Sequence, residues 1–142
     1  MPSISTVIAT SDEAPFRVTL TDDLDHRWFA DEPADKGGAN VGPTPEHLLL
    51  SSLGACTAIT LRMYADRKHW PLRSINVELL FNPDGKPATG TDIRRRIVLT
   101  GELSEAQRER LLQVANACPI HKVLSGEVRI ATSLTTQKGV SP

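Results

Sequence analysis

The 142-residue sequence has little cysteine, little aromatic character and no excess of either charge. Sixteen Lys and Arg stand against seventeen Asp and Glu, a net charge of -1. No long-range field steers nucleic acid, an anionic membrane or a highly charged substrate, so a small-molecule partner is expected, with no nucleic acid and no membrane. Trp28, Trp70 and Tyr64 are too scattered for a base-stacking platform and read as core or interface residues. Nothing after the N-terminus reads as a membrane span, and MPSISTVIATSDEAP lacks a secretory leader, so a cytoplasmic location is expected. In that reducing compartment, two cysteines indicate transient redox chemistry, a metal site or ordinary packing. No CxxC or HxxxH pair occurs, so a metal site built from Cys56, Cys118, His121 and His69 would lack the close ligand pair that structural zinc recruits; no metal is expected. GGANVG lacks the strand-to-helix setting of a dinucleotide loop, and no cofactor is implied.

What is present fits one domain over residues 1–142 with a sizeable core. The order of elements is strands, long helix, strands, short helix, strand, an α+β pattern without repeats. STVIA, FRVTLT and HRWFA predict an N-terminal meander, followed by a glycine- and proline-rich loop at residues 31–45. Thr44 caps a helix that starts at Pro45 and runs to about Lys68, with apolar residues over most of its circumference, so burial on several sides is expected. Alternation at Ile75, Val77, Leu79 and Phe81 predicts a half-buried strand, and DIRRRIVLT returns beside it. Its three arginines should divide between two faces. Ser104 and Gln107 form a capping box for a second helix that carries Leu111, Val114, Ala115 and Cys118 toward the core and ends at Pro119. Val128, Ile130, Thr132 and Leu134 share a parity and predict a last strand.

A thiol buried among leucines is inert unless a cation is near, because desolvation suppresses its ionisation. The candidates lie outside the helix: Arg17 and Arg27 in the N-terminal strands, and Arg94, Arg95 and Arg96 in the later one. Glu46 complements the positive helix end, but ten residues of helix place it about 15 Å from Cys56. For Glu46 to serve the thiol, it must orient a bridging arginine, the helix must break near Gly54, or a second subunit must contribute. Tyr64, two turns beyond Cys56, is a candidate pocket residue. A hydrolase pairing Cys56 with a histidine is conceivable, but nothing in the sequence favours it.

GPTPEHLLLSSLGACTAITLRMYADRK, followed about sixty residues later by CPIHKVLSG, resembles the OsmC/Ohr family over nearly the whole chain. Supporting pieces are DEP at residues 31–33, Gly37 and Gly38, Glu46 ten residues before Cys56, and Cys118 with Pro119. The resemblance implies antiparallel sheets packed around a long buried central helix in an intertwined homodimer, with sites at the subunit interface. It implies a thiol-dependent peroxidase acting on organic hydroperoxides, and often hydrogen peroxide, without metal, haem or flavin. Cys56 would be the peroxidatic residue and Cys118 the resolving one, and an external dithiol such as a lipoyl group would restore the pair. Glu46 carries over by motif position as the residue that holds an activating arginine. Arg17 is the nearest match to that arginine, in a segment, ATSDEAPFRVTL, that lacks the family's flanking glycine. CPIHK looks more like the broader OsmC-like branch, and His121 could tune the resolving thiol or stand as a terminal charge. The alternative is a non-catalytic member that binds a hydrophobic small molecule or partner.

Overall fold

The computed structural model describes residues 4–135; residues 1–3 and 136–142 of the expected domain lie outside that range. Three short strands, β1 (Val7–Ser11), β2 (Val18–Asp22) and β3 (Arg27–Ala30), form the expected antiparallel meander. The Asp22 carboxylate closes the β2–β3 turn by accepting the backbone N–H groups of Leu24 and His26 at 2.9 and 2.8 Å. Helix α1 (Pro45–Lys68) starts where Thr44 accepts the His47 N–H at 3.3 Å and Pro45 fills the first helical position, whose N–H would have no partner. Strands β4 (Leu72–Phe81) and β5 (Ile93–Gly101) form an antiparallel hairpin, with Val77 opposite Ile97 and Leu79 opposite Arg95. Helix α2 (Glu105–Ala115) opens on a complete Ser104–Gln107 capping box.

The β4–β5 sheet, α2 and α3 (Pro119–Ser125) all pack against α1. Leu53, Thr57, Leu61 and Ala65, each four residues after the last, make the buried stripe of α1, because positions i and i+4 share a helix face. Leu61, Ala65, Leu72, Leu111 and Ala115 form the core. The fold is α+β with antiparallel sheets, as expected.

Four details differ from the sequence reading. First, α1 is buried along one stripe only; Ile59 and Met63 remain 54% and 62% exposed, because sheet and helices cover a single side of it. Second, α1 is long and apolar enough to cross a membrane by length and hydropathy alone, which the sequence reading missed, although its stripe is the core of this fold. Third, α2 stops at Ala115, and Pro119 begins a helix instead of ending one. Fourth, residues 128–134 form no strand, and Ile130 and Leu134 are 84% and 97% exposed. An alternating segment becomes a strand only against a partner edge and an apolar surface, and this segment pairs with none in the described residues.

The loop between β3 and α1 is built on Asp31, a buried carboxylate that accepts backbone N–H groups from Glu32, Ala39 and Val41 at 2.7, 3.2 and 3.2 Å. Gly38 and Gly42 let the loop close: an added Cβ would lie 2.0 Å from the Glu32 carbonyl oxygen or 2.4 Å from that of Phe29. Burial opposes the Asp31 charge, but the three N–H donors and the Arg17 charge outweigh it and hold the carboxyl below its ordinary value. A lowered folded-state pKa contributes stability that is complete above the unfolded value of about 3.9 and is lost as pH falls through the folded value. Asp31→Asn should therefore release the Ala39 and Val41 amides roughly tenfold faster in hydrogen exchange at neutral pH, with the difference from the parent shrinking in acid. Unchanged exchange would show that the glycine contacts alone hold the loop.

Candidate functional site

Cys118 follows α2 and is the N-cap of α3, with extended backbone at φ -66 and ψ 150. Pro119 at the first helical position has no N–H to offer, so the next two amides face the loop unpaired by the helix. Both find sulfur. His121 N–H points at Cys118 Sγ at 3.4 Å, and Ile120 N–H points at Cys56 Sγ at 3.5 Å. The opening turn of α3 therefore holds the two cysteines side by side, one from α1 and one from the α2–α3 junction. Both thiols are free; Cys56 is partly exposed, and Cys118 is fully buried.

Arg95 is the cation of this cluster. It faces inward from β5, while its neighbours turn outward, Arg94 to Asp84 at 2.7 Å and Arg96 to Glu78 at 3.1 Å. This is the division of the arginine run that strand alternation predicts. Arg95 Nη1 donates to Thr57 Oγ1 at 3.0 Å, and Nη2 donates to Asn116 Oδ1 at 3.0 Å and to His121 Nδ1 at 2.9 Å. A guanidinium cannot accept, so His121 Nδ1 must, and the ring is neutral with its proton on Nε2. Burial and the Arg95 charge both lower the His121 pKa, which agrees with a neutral ring. Thr57 gives its one hydrogen to the Leu53 carbonyl at 2.7 Å, and its oxygen also lies 4.0 Å from Cys118 Sγ. Burial pushes the Cys118 thiol up, but the His121 N–H, the adjoining Cys56 side chain and the Arg95 charge outweigh it, and the net shift is downward.

A family model described as OsmC-like protein matches residues 36–133, from the loop before α1 through both cysteines. The chain belongs to the OsmC-like family. No curated protein matches the sequence. Among solved structures, an OsmC-like protein from Mycoplasma pneumoniae is 22% identical with a TM-score of 0.73, over 89% of this chain and 90% of that one. An organic hydroperoxide resistance protein from Legionella pneumophila is 18% identical, TM-score 0.62, over 87% and 90%. The organic hydroperoxide resistance protein OhrB of Bacillus subtilis is 22% identical, TM-score 0.58, over 87% and 92%. At these identities the similarity establishes the fold.

Of the expected site residues, this OsmC-like chain brings Cys56 and Cys118 together. Glu46 is exposed in the first turn of α1 and, among the described residues, makes no hydrogen bond or ion pair with the cluster. Arg17 pairs with Asp12 at 3.8 Å, and its charge acts on Asp31. His69 caps the far end of α1, about 20 Å along the axis from Cys56, so it does not join a metal site with the cysteines. Among the described residues, no group of three or more His, Cys, Asp and Glu is placed to hold a metal. Tyr64 packs edge-on against Trp70 and accepts from Arg110 Nε at 2.9 Å, which makes it a core and surface tie. The residues that the sequence reading left among several candidates are Arg95 and His121. Two it did not name, Thr57 and Asn116, complete the cluster. A cavity of about 500 Å³ adjoins the cluster, lined by Arg95, His121 and Asn116 on its polar side and by Leu53, Ile93 and Leu112 among its apolar residues.

Proposed function

We propose that this chain is a thiol-dependent peroxidase for organic hydroperoxides that works by two-cysteine chemistry. The observation that carries this reading is that Cys56 and Cys118, sixty-two positions apart, receive adjacent N–H groups of one helical turn while both thiols are free. Family membership and the hydroperoxide-resistance names of the Legionella and Bacillus relatives support it. Cys56, the accessible partner, attacks the terminal oxygen of ROOH; the O–O bond breaks, ROH leaves and Cys56 becomes a sulfenic acid. Cys118 then attacks that sulfur, the S–S bond forms, the S–O bond breaks and water leaves. An external dithiol, of which a lipoyl group is one example, reduces the disulfide and is itself oxidised to a disulfide.

The reading includes an intertwined homodimer. Exposed apolar residues along α1 and the unpaired segment 128–134 are surfaces that a second copy would cover. In such a dimer Glu46 and Arg17 would approach the cysteines from the second subunit. Two free thiols suit a reducing, cytoplasmic setting.

Adding one equivalent of cumene hydroperoxide to the reduced protein should consume both thiols and leave one intramolecular disulfide, seen as the loss of two hydrogens by mass and reversed by dihydrolipoamide. Thiols that survive excess peroxide would sink the peroxidase. That result would favour a non-catalytic member binding a hydrophobic small molecule, a reading suggested by the apolar-lined cavity, whose walls include neither cysteine.

A further inference from the structure

The family resemblance assigns the activating cation to the N-terminal hairpin, but the cluster contains a different one. Arg95 is the only charged residue in the inward row of β5, between Ile93 and Ile97 and opposite Leu79. This partly buried guanidinium is held by three acceptors from three segments: Thr57 of α1, Asn116 after α2 and His121 of α3. None of the three is a carboxylate. The positive charge is therefore hydrogen-bonded but not neutralised, and it lies beside the oxygen that contacts Cys118 Sγ.

We propose that Arg95 is the cation that holds negative charge on Cys118, as a positioning residue that acts by its nearby charge and through the His121 that it braces. The proposal rests on the peroxidase reading for its purpose. An ionised Cys118 is the nucleophile that resolves the Cys56 sulfenic acid, with hydroxide leaving and taking up a proton to form water. The groups that face Cys118 from the packed elements are Cys56 and Thr57 of α1, Arg95 of β5 and His121 of α3. The His121 neutrality required by the Arg95 bond keeps Arg95 as the single cation among them. Its ring orientation is fixed by that bond, and its backbone N–H reaches the sulfur, so Arg95 also braces the turn that caps Cys118.

The test titrates Cys118 alone. In a Cys56→Ser chain, the thiolate absorbance followed against pH reports the Cys118 midpoint without any peroxide step. Adding Arg95→Met should raise that midpoint by about one pH unit, so roughly tenfold less thiolate remains at a pH below both midpoints. Arg95→Lys, which keeps the charge on a shorter, non-planar group, should recover at least half of the shift. Arg95→Gln keeps an amide donor for Thr57 without the charge and serves as the second uncharged variant should Arg95→Met fail to fold. In the chain with both cysteines, the same uncharged variant should slow disulfide closure from oxidised Cys56 in proportion. An unchanged midpoint in a folded uncharged variant would overturn the proposal and leave Arg95 as a brace. A raised midpoint in a protein whose parent does not react with peroxide would uphold the Arg95 assignment while removing the peroxidase.

Discussion

Cys56→Ser should abolish hydroperoxide turnover, lowering the steady-state rate with a dithiol reductant by roughly a thousandfold or more. A serine hydroxyl is almost entirely un-ionised at neutral pH and cannot be taken to a sulfenic acid, so both the nucleophile and the oxidised intermediate disappear together. Cys118 cannot substitute, because its side chain is fully buried beneath Thr57 and the first turn of α3, whereas Cys56 is partly exposed. Cys118→Ser has a different signature. It should consume about one equivalent of peroxide per chain and then stall with Cys56 oxidised, since the attack on the sulfenic sulfur has lost its nucleophile. Peroxide consumption paired with intact mass separates the two variants. If Cys118→Ser behaved like the full knock-out and Cys56→Ser kept a single turnover, the two roles would be exchanged.

Most of this fold could be read from local chemistry. Thr44 followed by Pro45, the Ser104–Gln107 pair and the alternation of Ile75 to Phe81 each act within a few residues, and each appears where such local rules place it. What the sequence misled on required knowing the neighbours. The α2 pattern continues to Cys118, but the helix stops at Ala115, and Cys–Pro is the cap and first position of a new helix, a reading that the proline preference for helix starts also permits. The parity of residues 128–134 is a sound strand signal, yet parity states only which face is apolar and is silent on which edge the segment pairs with.

The site was legible to a similar depth. The two cysteines stood out because few residue types carry redox chemistry, and the ten-residue separation of Glu46 from Cys56 already excluded direct contact within one helix. Strand alternation was enough to predict that one of three consecutive arginines turns away from its neighbours. It could not show that Arg95, the inward one, would meet Thr57, Asn116 and His121, because those contacts join positions from 38 to 21 residues away. Thr57 was hidden for a related reason: a threonine in an apolar helix reads as filler until its hydroxyl is found between an arginine and a thiol.

Leu61→Ala should cost about 2–5 kcal/mol, a large share of the roughly 5–15 kcal/mol that holds a domain of this size together. Leu61 is completely buried where α1, α2 and the β4–β5 sheet meet, with Ala65, Leu72, Leu111 and Ala115 around it. The spread of that range reflects how far the partly buried Ile97, Leu99 and Val114 packed against this cluster can move into the space. The measurement is urea unfolding: the midpoint should fall while the slope stays near that of the parent. Met63→Ala supplies the contrast, since Met63 lies on the same helix but is 62% exposed within the chain. If the chain worked alone, that change would move stability by only a few tenths of a kcal/mol. If a second copy covers the exposed face of α1, Met63→Ala should lower stability by an amount that depends on protein concentration, while the Leu61→Ala loss, belonging to the interior of one chain, should persist on dilution.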